Sequence, residues 1–273
     1  MLVSRAPCAA LRPFIQLLWA SDGAGSGCGG REHVLPTGLA QLVLRLSPEP
    51  IVLFEHGQPL ALGHAVLGGA RSSYYEKDVS VPSIAVGATL LPGAASLLFG
   101  VGAHELAERH TRLDELWGAD VERLRERLSE HRSALARIAE LEACLLRRLP
   151  GAPLHAAVAC SLARLRAGEA RIGALVEASG YSHRALVAAF RAAVGLSPKA
   201  FASVLRFQRA LSVLAGAPDS SLVTTAVHSG YSDQAHLTRT FAQMAGVSPA
   251  RYRALGLDNP NHVPLAPLRG TSR

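Results

Sequence analysis

Two stretches of this chain are near copies of each other, and that internal repeat constrains its fold more than any other feature. The first runs Arg171–Ala202 and contains ASGYSHRALVAAFRAAVGLSPKAF. The second runs Leu222–Leu255 and contains HSGYSDQAHLTRTFAQMAGVSPARYR. Ser179-Gly180-Tyr181-Ser182 matches Ser229-Gly230-Tyr231-Ser232 at an offset of 50, whereas Phe190, Gly195, Ser197 and Pro198 match Phe241, Gly246, Ser248 and Pro249 at 51. The second copy therefore holds one extra residue between its Tyr and its Phe.

Each copy has the parts of a helix-turn-helix. A short apolar helix carries Ile172, Leu175 and Val176 in one copy and Val223, Ala226 and Val227 in the other. Gly180 and Gly230 stand where a left-handed residue ends that helix without a Cβ penalty. Ser182 and Ser232 follow, and both are expected as N-caps of a second helix. That helix points Leu186 and Phe190, or Leu237 and Phe241, to the core, and it ends at Gly195 or Gly246. Ser197-Pro198 and Ser248-Pro249 then open further helices, with Pro at the first position, where no amide hydrogen is needed. Between the repeats, Ser197–Ala215 reads as one helix, roughly 28 Å long at about 1.5 Å per residue. Leu154–Ala167 supplies a packing helix in front.

This part of the chain resembles the DNA-binding domain of the AraC/XylS family of transcription regulators. The resemblance is densest from Gly230-Tyr-Ser-Asp-Gln-Ala-His-Leu-Thr-Arg-Thr-Phe241 through Gly246-Val-Ser-Pro-Ala-Arg-Tyr-Arg253, and it covers Leu154–Leu255. It implies sequence-specific binding of double-stranded DNA, with two recognition helices entering successive major-groove segments. The first helix would offer Ser182, His183, Arg184, Val187 and Arg191. The second would offer Ser232, Gln234, Ala235, His236, Thr238 and Arg239. Arg184 and Arg239 can each pair with guanine O6 and N7, Gln234 with adenine, and Val187 with a thymine methyl. Ser182, Ser232 and the helix N-termini suit phosphates. Arg206 and Arg209 read either as phosphate contacts or as an exposed helix face. Tyr181, Phe190, Tyr231, Phe241 and Tyr252 read as core or turn residues. Val187-Ala188-Ala189 departs from the family, which often carries a polar or basic residue in the middle of the first recognition helix.

Charge agrees with an acidic partner for this half. Lys and Arg number 15 against 16 Asp and Glu in residues 1–150, and 13 against 5 in residues 151–273. The halves are thus about −1 and +8. The rival reading is an interaction or ligand-sensing module whose helix-turn-helix no longer reads DNA. Arg184, Gln234 and Arg239 argue against it.

The first half reads as α+β. Phe14–Ala20 is an apolar run, and strands are expected at Ala40–Leu46, Ile51–Glu55, Leu60–Leu67 and Ser83–Leu91. Tyr74-Tyr75 and Val79–Val81 continue the β texture, and helix begins near Ala94. Val79–Ala103 carries no charge, but Pro92-Gly93 and several glycines break it, which favours strand, turn and core helix over a membrane span. Ala119–Leu149 reads as charged helix, divided near Ser129 and Ser133. Its stripe of Val121, Leu124, Leu128, Leu135, Ile138 and Leu145 would pack on its own domain or join two chains. LRPFIQLLWA (11–20), HVLPTGLAQLVLRL (33–46) and LDELWG (113–118) resemble a domain of unknown function that precedes such regulators in many bacterial chains.

The fold expected is an α+β N-terminal domain (1–150), an all-α domain with two helix-turn-helix motifs joined by a long helix (151–257), and a disordered Pro-containing tail (258–273). The N-terminal domain would sense a small-molecule effector, with Trp19, Glu55, His56, Tyr74 and Tyr75 as pocket candidates, or join two chains as a homodimer. Gly25–Gly30 fits G-x-G-x-x-G but no helix follows it, so it reads as a loop. His104-Glu105 begins a zinc-type motif that Glu108 fails to complete. No nucleophile-and-base arrangement suggests an enzyme, and neither metal nor cofactor is expected. Scattered Cys8, Cys28, Cys144 and Cys160, with no signal peptide, suggest a reduced, cytoplasmic protein.

Overall fold

The computed structural model describes the chain except residues 24–29, 56, 150, 152, 170, 218–219 and 266–273. Among the described residues, two antiparallel sheets form the N-terminal half. One runs β1-β2-β9-β4-β7-β10, from Leu2–Arg5, Ile15–Asp22, Ile84–Leu90, Ala40–Arg45, Ala65–Gly68 and His110–Arg112. The other runs β11-β3-β8-β5-β6, from His262–Pro264, Arg31–Val34, Tyr75–Asp78, Val52–Glu55 and Gln58–Ala61. Alternation along the strands decides what each face meets. Leu42, Leu44, Leu67, Val86, Ala88 and Leu90 face a helical layer, whereas Val43 and Val66 turn the other way, toward Ile51, Leu53 and Tyr75 of the second sheet.

The helical layer is α1 (Ala94–Phe99), α2 (Ala103–Leu106), α3 (Asp114–Trp117), α4 (Asp120–Glu130) and α5 (Ala134–Leu146). The break between the last two falls near Ser133, whose Oγ caps α5 by accepting from the Ala136 amide at 3.2 Å. Val121, Leu124, Leu128, Ile138 and Leu145 of the expected stripe are buried on their own sheet, and only Leu135 is left out, 59% exposed. Glu142 ties α5 to β1: it accepts from Arg5 at 3.1 and 2.6 Å and from the Cys8 amide at 2.7 Å. The hydrogen bond from Arg5 holds its carboxyl below the usual range. A depressed carboxylate pKa adds stability that is present above the unfolded value and lost as pH falls through the folded one. Glu142→Gln should therefore cost about 1–2 kcal/mol at neutral pH. That deficit should shrink below about pH 4, as urea titrations at the two pH values would show.

Two expectations need correction. Leu60–Leu67 is not one strand: Gly63 takes a left-handed φ of +75°. The chain turns there and its two parts join different sheets, as β6 and β7. The tail expected to be disordered from residue 258 instead places His262–Pro264 beside Glu32–Val34 as β11. Leu35 donates to Asn261 O at 2.8 Å, and His262 Nδ1 lies 2.8 Å from Glu32 Oε1. Backbone pairing with an available sheet edge outweighs the proline content, since Pro264 sits at the strand's last position. Residues 266–273 lie outside the described part, as do most of the Gly25–Gly30 loop, His56 and Cys28. Cys8, Cys144 and Cys160 are free thiols.

The C-terminal half is helical: α6 (Ala156–Arg166), α7 (Ile172–Ser179), α8 (His183–Val194), α9 (Pro198–Gly216), α10 (Leu222–Ser229), α11 (Gln234–Ala245) and α12 (Pro249–Ala254). The sequence repeat is also a repeat of contacts. Phe190 of α8 meets Phe201 of α9 edge-on at 5.9 Å, and the equivalent Phe241 of α11 meets Tyr252 of α12 edge-on at 5.4 Å. Phe207, two turns along α9, fills the remaining side of Phe241 at 5.1 Å. Among the described residues, no single helix is long and apolar enough to cross a membrane.

The two halves share one buried cluster, in which Leu35 and Ala70 of the first sit with Phe190, Phe201 and Phe241 of the second. Gln208 of α9 donates to Pro36 O and to Asn261 Oδ1, both at 2.8 Å. At Gly38 an added Cβ would fall 2.9 Å from the Phe201 ring, so this joint needs a glycine.

Candidate nucleic-acid interface

In each repeat a short side chain starts the second helix. Ser182 Oγ accepts from the Ala185 amide at 3.3 Å, as expected. In the second copy the cap is not Ser232 but Asp233, whose Oδ1 accepts from the His236 amide at 2.7 Å. That hydrogen bond keeps the Asp233 carboxyl below the usual aspartate range. The extra residue of the second copy is therefore accommodated before the helix rather than within it. Ser232 Oγ instead donates to Asp233 Oδ2 at 3.0 Å and lies 3.0 Å from His236 Nδ1.

This shift changes which positions correspond. Counted from its cap, Arg184 is the second residue of α8, whereas Arg239 is the sixth of α11. The position equivalent to Arg239 in the first repeat is Ala188, inside the apolar Val187-Ala188-Ala189 run.

The structure leaves His183, Arg184, Arg191, Gln234, Ala235 and Arg239 exposed, with Val187, His236 and Thr238 half-buried. Leu186, Phe190, Leu237 and Phe241 are buried on the opposite face. Among the described residues Arg184, Arg191 and Arg239 make no ion pair, so their positive charge is uncompensated within the protein. His236 is less free, because its ring packs edge-on against Tyr231 at 5.3 Å. Arg206 is drawn into its own surroundings: it donates to Ser203 Oγ at 3.0 Å and lies over the Tyr231 ring. Arg209 is half-buried on α9. Tyr181, read as a core or turn residue, is 40% exposed, and its hydroxyl lies 3.0 Å from Nε2 of His155, the cap of α6.

The far ends of the same two helices are embedded in the first half. Gly195 ends α8 at φ +93°, and an added Cβ would fall 2.9 Å from Ala103 O and 3.2 Å from the Ala107 Cβ. Gly246 ends α11 at φ +71°, and its Cβ would fall 2.5 Å from His33 and 2.8 Å from Tyr74. His33 Nδ1 donates to Ala245 O at 3.0 Å, while Ser96 Oγ reaches Ala193 O at 3.2 Å. Burial lowers the His33 pKa, which keeps the ring neutral. Both helices thus stand with their C-terminal caps against the N-terminal half and their N-terminal turns in solvent. Sequence reasoning missed this contact, whose signal lay in Gly195 and Gly246 being more than helix stops.

Of the pocket candidates in the first half, Trp19 lies across Gly87, where a Cβ would come within 2.4 Å of its ring. Tyr74 stacks on His33 at 4.0 Å. Tyr75 packs edge-on to His110 at 4.5 Å, and Glu55 stands at the end of β5. These side chains do not converge on one cavity. A hollow of about 10 Å³ between Gly38, Gly93, Ala103 and Val194 has room for no more than a water. No group of His, Cys, Asp and Glu suited to a metal occurs among the described residues.

Comparison with known proteins follows the same division. Residues 175–255 match the model of a helix-turn-helix domain, and residues 4–112 match a domain of unknown function (DUF6597). The HTH-type transcriptional regulator MtrA of Neisseria gonorrhoeae is 35% identical over 88 residues, which are 32% of this chain and only 29% of that protein. A probable AraC family transcriptional regulator from Rhodopseudomonas palustris CGA009 is 29% identical over 37% of this chain and 98% of its own, with a TM-score of 0.34. ToxT from Vibrio cholerae O395 covers 94% of this chain and 99% of its own at 9% identity and a TM-score of 0.51, a likeness of fold alone. The chain thus carries a helix-turn-helix domain behind a domain of unknown function, and its helix-turn-helix part is similar to that of the transcriptional regulator MtrA.

Proposed function

We propose that this protein is a transcription regulator that binds duplex DNA in the cytoplasm and reads two successive major-groove segments with α8 and α11. The observation that carries the reading is the set of uncompensated side chains on the solvent-facing turns of both helices, Arg184 and Arg239 with Gln234 beside them. Guanidinium forks match guanine edges and the amide matches adenine, while the excess charge of residues 151–273 supplies phosphate attraction. His183, Val187, Arg191, Ala235, His236 and Thr238 complete the base-facing set, with Ser182, Ser232, Arg206 and Arg209 toward the backbone. α9, 19 residues and roughly 28 Å long, holds the two readers together on one side of the duplex. No enzymatic step is assigned. The N-terminal half modulates binding, because it grips the C-terminal cap of each reader and sets their relative placement. Since the α4–α5 stripe is used within the domain, a homodimer would form through another surface.

The test is selection from a random duplex library by the full chain at about 0.15 M salt. Two enriched patches about 10 base pairs apart are expected. One patch would mean that one helix, first of all the Ala188-Ala189 helix, reads no bases. Salt-sensitive binding without enrichment would favour the interaction-module reading instead. Arg239→Ala should weaken binding by about 1–3 kcal/mol and relax preference at one base pair. Equal loss across all sequences would make Arg239 a phosphate contact.

A further inference from the structure

Arg71 follows β7 at the place where β10, the edge of one sheet, approaches β8 of the other. Its guanidinium is half-buried, with one Nη donating to His110 Nδ1 at 3.1 Å and its plane 5.0 Å from the Tyr75 ring. Its Nε is buried with no hydrogen-bond partner. Among the described residues no carboxylate pairs with it. The Oε1 of Glu108 is taken by the amide and hydroxyl of Ser72 at 2.8 and 2.5 Å, and Glu108 and Glu55 act on Arg71 through their charge alone, without an ion pair.

Neither ring neighbour supplies a negative charge. Burial, with Arg71 and Lys77 nearby, pushes the His110 pKa down to about 3, so the ring is neutral. Its Nδ1 accepts from Arg71, which leaves Nε2 carrying the proton. Burial pushes the Tyr75 hydroxyl up to about 12, so it stays protonated. A guanidinium partly removed from water with no counter-charge is unfavourable by itself. Its planar fork matches a carboxylate or phosphate group better than any other ligand class.

The cluster also lies between the two places where the recognition helices are gripped. Tyr74, adjacent to Tyr75, abuts Gly246, and Ala107, three residues before His110, abuts Gly195. Glu108 joins these two segments through Ser72 and holds a φ of +60°, uncommon for a residue with a side chain.

We propose that Arg71, held in place by Tyr75 and His110, is the receptor for an oxyanion group of a small effector, whose arrival shifts the grip on Gly195 and Gly246. The second clause rests on the N-terminal half acting as regulator, and the first does not. The test titrates the ¹⁵N-labelled full chain with inorganic phosphate, with acetate and with chloride at matched ionic strength, reading the Arg71 Nε–H resonance and the melting temperature. A saturable shift with phosphate or acetate and none with chloride is expected, and the responding anion separates the two headgroups. Arg71→Gln should weaken that binding at least tenfold while changing the anion-free melting temperature little, because the charge it removes is half-buried and makes no ion pair among the described residues. A purely structural arginine would instead destabilise the protein when replaced. Should Arg71→Gln not fold, Arg71→Lys keeps the charge without the fork and should weaken binding severalfold. Identical responses to all three salts, or unchanged binding by the folded variant, would overturn the site. Anion binding at Arg71 that leaves affinity for the selected DNA unchanged would uphold the site and overturn its regulatory role.

Discussion

Gly246→Val should destabilise the protein by about 2–4 kcal/mol, and most of that loss should lie in the contact between its two halves. Two costs combine. A β-branched residue at φ +71° is strained by about 1–2 kcal/mol. Its Cβ would also sit 2.5 Å from the His33 ring and 2.8 Å from Tyr74, a clash worth about another 1–2 kcal/mol in a packed joint. His33 would have to move and give up its hydrogen bond to Ala245 O. Gly256 supplies the control, since its φ is +54° but nothing lies within 4 Å of an added Cβ. Gly256→Val should show the backbone strain alone. Urea unfolding, with proteolysis of residues 147–155 as a measure of undocking, separates the two variants. Equal effects from both would mean that the α11 cap contributes nothing to docking.

Phe241→Ala should cost still more, about 3–5 kcal/mol. The ring is fully buried between Phe207 and Tyr252, so truncation opens a cavity at the centre of the second repeat. Since α11 takes its orientation from that packing, the variant should also lose sequence-specific DNA binding before it loses general affinity for phosphate. Thermal unfolding and the selection assay would report the two losses separately. A cost below about 1 kcal/mol would contradict the contact described for this ring.

The helical half was legible because its information is local. Gly, Ser and Pro at fixed offsets mark the ends of α7 to α12, and the Leu and Phe spacing marks the buried faces. The cap of α11 was misplaced because Ser232 and Asp233 can both cap a helix. The 51-residue offset of Phe190 and Phe241 decides in favour of Asp233. The β half was legible strand by strand, but its pairing was not. Strand neighbours such as β9 and β4 meet across 40 to 50 residues, and no local pattern specifies that partnership. Arg71 and His110 lie 39 residues apart with no motif between them, so the sequence alone gave no reason to single out either. The tail misled for a related reason, because β11 is held by an edge strand that is distant in the chain.

Under the proposed reading of DNA by α8 and α11, the displaced register of the second repeat bears on the geometry of the recognised site. Arg184 and Arg239 stand on different turns of otherwise matching helices, so a duplicated protein motif would not demand a duplicated DNA word. The two half-words would differ, and a bound molecule would have a defined head and tail along the duplex. Reversing a site beside a promoter would then turn the sheet-bearing half to face the opposite way.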